Sequence, residues 1–347
     1  MSRPHAAAKA AKRARVLAVL DAHPEFDGVV LESPAVVSWY LDGARTTVPL
    51  GGASVIAVLV TRDGDAVRCP VNEIGRLRDE ELVSGAEAVP WHEPLVPAAW
   101  TDDPRIARES QLDAELRAAR ASLLDVEVDR YRALGREVAA AVTEVAARTL
   151  PEWSENRAAG ALADAVLGLG AEPVVLLVAG DSRLGLRHPL PTGAPLGRRT
   201  MFVVGARRHG LIVNLTRWVQ FDDAADDDRL LAVEAEVLDA TRVGAPVAQA
   251  FGTLAAAYGR HGFDAGEWRN HHQGGATGYL GRDPKATEAT PGLIVENQAF
   301  AWNPSAPGAK VEDTVLARAA GLEILTADDH WPTTLVAGRA RPLALQP

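Results

Sequence analysis

Residues 110–216 are the part of this chain that most limits how it can fold. A region rich in Ala, Glu, Arg and Leu runs over 110–149, breaks near Leu124, and reads as helix. Pro151 stops it, because proline has no N–H to donate and its ring clashes with the preceding turn. Ser154 then fits as the N-cap of a second helix over 155–168, with the acidic Glu155 in the first turn where the helix dipole favours it. Gly168 and Gly170 end that helix. The chain next turns to β, with apolar runs at 173–178 (PVVLLV), 200–204 (TMFVV) and 210–216 (GLIVNLT), and 205–209 as a short loop.

The first hundred residues have a different texture. Residues 6–22 read as a helix with Val16, Leu17, Val19 and Leu20 as its apolar stripe. The basic residues Lys9, Lys12, Arg13 and Arg15 on it read as a solvated face. Short apolar runs follow at 28–31 and 36–41, the latter closed by the turn signal Asp42-Gly43. Residues 54–61 and 66–69, separated by a turn, read as a hairpin, and 72–82 as a helix. Strands mixed with helices over such a length make an α/β domain. At 90–110 the texture changes again, with Pro90, Pro94, Pro97 and Pro104 beside Trp91 and Trp100, and the domain boundary is expected there. The expected domains are 1–108 and 120–347. Further on, 222–229 is acidic but lacks the spaced ligands and glycine turn of a calcium loop, so it reads as solvated surface. Residues 229–263 form helix with a break at 244–246, and 292–301 is strand-like.

Composition excludes some functions. A chain of 347 residues, 47% of them hydrophobic, can bury the cores of two domains. Its net charge of −10 disfavours a nucleic-acid partner. No apolar run approaches the roughly 18 residues of a membrane span. The apolar run 16–20 is too short for a secretory signal and Asp21 follows it, so a cytoplasmic location is expected. The single cysteine, Cys69, excludes an intrachain disulfide and a thiolate-rich metal site. It lies in a strand-like run and is expected to be buried and inert.

Three stretches are poor material for a core: 179–192 (AGDSRLGLRHPLPT), 267–279 (EWRNHHQGGATGY) and 296–314 (ENQAFAWNPSAPGAKVEDT). Long polar side chains beside glycines suit loops where backbone comes close to a ligand. They are expected to meet in space and form one site.

Several segments of the second half carry a resemblance in order. These are PEWSE at 151–155, LLVAGDSRLGLRHPLP, FVVGARRHGLIVNLTR, HHQGGATGY, PGLIVENQAF and GAKVEDTVL. Together they resemble the creatinase, aminopeptidase P and prolidase-type family, and SWYLDGAR in the first half is similar to that family's substrate-side domain. The resemblance implies an α/β N-terminal domain followed by an α+β pita-bread domain, a small-molecule substrate and a homodimer. Metal-dependent members bind two ions through two Asp, one His and two Glu. Position by position, these fall here on Val203, Asn214, Gly275, Gln298 and Glu312. One carboxylate cannot hold two dications, so no metal and no cofactor is expected.

Creatinase hydrolyses a C–N bond without metal by means of a histidine, and His188 matches that histidine. A neutral imidazole can take a proton from water and return it to a leaving nitrogen near pH 7. His188 and Glu312 are therefore the candidate catalytic residues. His271, His272, Gln273, Glu296, Gln298, Asn214 and Arg217 are the candidate substrate-binding ones. Adjacent His271 and His272 should point to opposite sides of an extended segment, so that only one faces the site. Alternation should put Glu296 on the face of Gln298. A structural ion pair is the favoured role of Arg217. The expectation is a metal-independent hydrolase that cleaves a C–N bond of a small amide, amidine or guanidino compound. The alternatives are an Xaa-Pro aminopeptidase-like peptidase with an atypical metal site, and a binding protein that kept the pocket.

Overall fold

The computed structural model describes residues 3–222 and 229–347. The acidic stretch at 222–229 falls outside the described residues except at its ends. The chain divides into two compact units, Met1–Val126 with His209–Leu211, and Glu127–Arg208 with Ile212–Pro347. No helix among the described residues is long and apolar enough to cross a membrane.

The first unit carries α1 (Arg3–Ala22), β1 (Gly28–Leu31), α2 (Pro34–Tyr40), β2 (Ala57–Thr61), β3 (Asp65–Pro70), α3 (Ile74–Asp79), β4 (Glu87–Val89), α4 (Ala98–Thr101), β5 (Ile106–Arg108) and α5 (Asp113–Ala121). Its mixed sheet has the order β4-β3-β2-β1-β5. The β2–β3 hairpin is as expected, and β5, inside the Pro/Trp-rich segment, pairs in parallel with β1. The run 36–41, expected to be extended, is helix. Ser33 accepts from the Val36 N–H and Pro34 supplies a preset φ at the first helical position. Every residue from Ala35 to Tyr40 is buried, so the run carries no face pattern. The basic face of α1 is not solvated. Lys12 is fully buried and bonds Asp42 at 2.9 Å, and Arg13 bonds Asp65 at 3.0 Å. Cys69 is buried, as expected.

The second unit takes in α6 (Asp125–Ala146), α7 (Glu155–Gly168), β6 (Glu172–Ala179), β7 (Arg199–Arg208), β8 (Leu211–Gln220), α8 (Arg229–Ala240), α9 (Val247–Arg260), β9 (Gly274–Thr277), β10 (Gln298–Trp302), β11 (Ser305–Ala306), β12 (Ala309–Lys310), β13 (Asp313–Arg318), β14 (Gly321–Ile324), β15 (Thr333–Val336) and β16 (Arg339–Pro342). One sheet has the order β6-β7-β8 and another β14-β13-β10-β9. The loop expected at 205–209 is shorter. β7 runs on to Arg208, and His209 and Gly210, both left-handed at φ 51 and 75, make the turn.

The two sheets meet along β8. The Asn214 N–H donates to Thr314 Oγ1 at 2.7 Å, Thr314 Oγ1 donates to the Asn214 carbonyl at 3.0 Å, and the Thr216 N–H donates to the Glu312 carbonyl at 2.9 Å. Helices α8 and α9 pack on the β9-β10-β13 side through a core that includes Phe251, Tyr258, Phe300 and Trp302. Burying such side chains contributes about 1.5–3 kcal/mol each. Behind β13 a buried ion network joins Arg217 to Asp313 at 2.9 Å, and Arg341 to Asp313 at 2.7 Å and Glu234 at 2.6 Å.

Candidate functional site

The three polar stretches meet, and buried charged groups hold them. The first is set by the start of α7. Ser154 caps that helix, and Glu155, fully buried, turns its carboxylate onto the loop 180–192. It accepts from the Gly180 N–H at 2.9 Å, the Thr192 N–H at 2.9 Å and Thr192 Oγ1 at 2.7 Å, and it pairs with Arg183. The dipole argument gave Glu155 a helix-end role, and the fold adds a loop anchor. Next along the loop, Arg187 pairs with Glu267 and donates to Ser305 Oγ at 3.2 Å. One guanidinium thus ties together 179–192, 267–279 and 296–314.

Gln273 is a brace. Its Nε2 donates to the carbonyls of Trp268 at 3.0 Å and His271 at 2.7 Å, while its Oε1 accepts from Tyr258 Oη at 2.7 Å. It is buried with both ends engaged, so its expected contact with substrate is replaced by a structural one.

The histidines converge. His188 Nε2 and His271 Nε2 lie 3.0 Å apart, and the His271 and His272 rings stack with centroids 4.3 Å apart. One ring nitrogen from each of His188, His271 and His272 lies within 4.8 Å of the others. Sequence alternation put only one of the adjacent pair in the site, and the structure places both there. The segment precedes β9 and belongs to no ladder, so nothing enforces opposite sides. Burial chiefly, then Lys310 and neighbouring histidines, lowers the His271 pKa to about 2. Burial followed by Arg282 and Lys285 lowers that of His272 to about 4. His188, on the exposed side, is lowered in the same direction, first by burial and then by Lys310. All three are neutral at pH 7.

Glu312 is not an open carboxylate. It is buried, pairs with Arg282, lies 3.6 Å from Lys310 Nζ, and accepts from Thr216 Oγ1 at 3.2 Å. Burial alone would raise its pKa, but Lys310 and Arg282 outweigh this and hold it below the ordinary carboxylate value. A substrate cation would have to displace these partners, and the carboxylate expected to be catalytic instead anchors Arg282 and Lys310. Neither cation was among the expected site residues. Lys310 was accessible to reasoning, since two residues before Glu312 an extended strand returns to the same face. Arg282 has no such signal, because it arrives on the loop after β9.

Other expected residues are placed elsewhere. Glu296 lies in a turn, pairs with Arg318 at 3.0 Å and accepts from the Ala319 N–H at 2.6 Å. The strand begins only at Gln298, and Asn297 at φ 61 breaks the alternation assumed for Glu296. Arg217 takes the structural role favoured for it, in the ion network behind β13. Gln298 Oε1 accepts from the Val295 N–H at 3.0 Å and closes its own turn, and Asn214 Nδ2 donates to Thr277 Oγ1 at 3.4 Å. Both are buried, bonded and neutral.

The residues at the positions where the resemblance looks for metal ligands do not fit two dications. Val203 packs in an apolar cluster with Leu177, Met201 and Trp218. Gly275 has φ 139, and a Cβ there would meet the Pro284 carbonyl oxygen at 2.5 Å and the Ala286 nitrogen at 2.6 Å. The returning segment 283–286, which bridges to Gly275 at Lys285, fills the space a histidine would need. The remaining carboxylate is already neutralised by Arg282 and Lys310.

No protein-family model matches the chain, and none of the curated proteins matches it in sequence. Solved structures do match its fold. A prolidase from Pyrococcus horikoshii OT3 is 17% identical, with a TM-score of 0.76 over 92% of this chain and 98% of that one. The dipeptidase PepE from Mycobacterium ulcerans is 18% identical, with a TM-score of 0.74 over 93% and 97%. The N-terminal domain of the FACT complex subunit SPT16 from Cicer arietinum is 11% identical, with a TM-score of 0.67 over 92% and 96%. The chain therefore has the pita-bread fold, as its motifs implied, together with the N-terminal domain of the two-domain members.

Proposed function

We propose that this protein is a hydrolase that cleaves a C–N bond of a small substrate without a metal ion, with His188 as the acid–base group. The observation that carries this reading is the His188–His271 pair, two neutral imidazoles 3.0 Å apart where the polar stretches meet. Two such rings share one Nε2–H, one donating and the other accepting. With His188 donating to His271, Nδ1 of the more exposed ring keeps a lone pair for a water. It takes a proton from the water as the oxygen attacks the carbon of the C–N bond. The bond breaks and the leaving nitrogen receives that proton. Lys310 and Arg282 provide positive charge for the oxyanion that develops.

The electropositive surroundings refine the substrate class. Lys310, Lys285 and Arg282 all act on the histidines, and Glu312 is the acidic group acting on both His188 and His272. A substrate bearing a carboxylate suits this charge, and a bare amidinium or guanidinium does not. A peptide substrate is the second reading, favoured by the prolidase and dipeptidase neighbours. A pocket that binds without turnover is the third. A homodimer and a cytoplasmic location remain part of the first reading.

The test is a screen of small amides, acylated amino acids and creatine-like carboxylates in chelator-treated buffer, beside Xaa-Pro dipeptides. Release of amine or ammonia by the wild type and its loss in His188→Ala supports the first reading. Turnover that requires Mn²⁺, Co²⁺ or Zn²⁺ sinks it, and binding with no product moves the choice to the third.

A further inference from the structure

The three-histidine cluster can do something that metal-free hydrolysis does not use. We infer that His188, His271 and His272 together form a site for one borderline divalent ion of the zinc type, and that its occupancy blocks the acid–base function of His188.

Three neutral imidazoles are a good donor set for Zn²⁺, which takes nitrogen at about 2.0–2.1 Å in tetrahedral geometry, so that two ligand nitrogens stand roughly 3.3 Å apart. The His188 and His271 Nε2 atoms are already 3.0 Å apart, and a nitrogen of each ring lies within 4.8 Å of the others. A second observation points outward from the cluster. Nδ1 of His271 and Nδ1 of His272 are buried and have no hydrogen-bond partner. Leaving such atoms unsatisfied costs about 1–3 kcal/mol each; Nδ1 of His272 is open to an ion, whereas Nδ1 of His271, whose Nε2 faces His188, keeps the ring proton.

This is not the two-ion carboxylate site, whose positions are apolar, neutral or filled. It uses different residues and a nitrogen-only donor set. Hard ions such as Mg²⁺ and Ca²⁺, which want oxygen, are excluded. The environment also defines the fourth ligand. Lys310, Arg282 and Lys285 make the surroundings positive, so the ion is held together with an anion, either hydroxide or a carboxylate. With an ion on Nε2 of His188 the proton of that ring sits on Nδ1, so the lone pair that water activation needs is lost and the ion acts as a reversible inhibitor.

Co²⁺ titration of the metal-free protein tests the site directly, because four-coordinate Co²⁺ has strong visible absorption that does not depend on turnover. One Co²⁺ per chain is expected, displaced by Zn²⁺ and not by Mg²⁺. His271→Ala and His188→Ala should each weaken binding at least about 100-fold, with circular dichroism confirming that they are folded. His261→Ala, at a histidine paired with Glu236 away from the cluster, should bind as the wild type does. No tetrahedral Co²⁺ spectrum, or one that survives both cluster variants, overturns the site. If Co²⁺ binds and activity rises, the ion site stands, but its inhibitory role and the metal-free reading both fail. If Co²⁺ does not bind but His188-dependent turnover is found, the metal-free reading stands and the site fails.

Discussion

His188 Nε2 lies 3.0 Å from His271 Nε2, although the two residues are 83 positions apart in the chain. Their loops are anchored independently, one by Glu155 and the other by Gln273, and Arg187 joins them. The pair is held in place before any ligand arrives.

Replacing His188 should therefore remove chemistry without removing the fold. Its ring is on the exposed side of the cluster, so His188→Ala is expected to leave the melting temperature nearly unchanged. Turnover should drop by about 10²–10⁴-fold, the usual worth of a positioned acid–base group. Steady-state kinetics on a substrate from the screen, beside a thermal melt, measure both.

Stability should fall on mild acidification. The folded pKa values of His271 and His272 lie below the ordinary histidine value, at about 2 and about 4. Between these and about pH 6.5 the unfolded chain binds more protons than the native one, so stability is complete above about pH 6.5 and is lost as pH falls. Urea midpoints from pH 8 to pH 4 should decline from about 6.5 downward, and His271→Gln should flatten the decline. Equal slopes in the two proteins would contradict the assignment.

Glu312→Gln should be strongly destabilising, because it leaves Arg282 and the buried Lys310 without their carboxylate. Removing one partner of a buried pair costs about 3–5 kcal/mol. The double variant Glu312→Gln with Lys310→Met should recover part of the loss, and urea unfolding of the wild type, the double variant and each single variant, Lys310→Met included, gives the coupling.

Glu155→Gln should loosen the loop that carries His188. The carboxylate accepts several bonds from that loop, and an amide replaces an acceptor oxygen with a donor. Hydrogen exchange at Gly180 and Thr192 should accelerate by more than tenfold, with a smaller effect at β7. Unchanged protection of the loop would show that other contacts hold it.

Gly275→His should not rebuild a two-ion centre. The backbone there has φ 139, and an added Cβ meets backbone atoms closer than any real contact allows. The expected result is a loss of at least about 1–3 kcal/mol and no gain in Mn²⁺ content by elemental analysis.

Much of the fold was legible because it was written locally. Ser154 and Pro151 mark a helix start by capping chemistry, and the runs around His209-Gly210 mark a hairpin by residue type. The misreading at 36–41 has the same local basis. A fully buried helix has no polar face, so periodicity is silent, and only Ser33-Pro34 announces it. In the site, His188 and the density of polar residues at 267–279 were readable, but the direction of each side chain was not. Glu296 was assigned by an alternation that the turn at Asn297 interrupts, and Gln273 looked available until Tyr258 came to meet it.

The sequence by itself determined what the chain lacks and what it has in its loops. The side chains of Val203 and Gly275 cannot ligate a metal ion in any conformation, because neither has a donor atom. The tertiary structure alone decided how the remaining groups are shared. It turned Arg282 and Lys310 onto Glu312, brought His272 in beside His271, and left His188 facing outward. Residue chemistry travels with the residue, whereas charge pairing and burial depend on which distant segments the fold brings within a few ångströms.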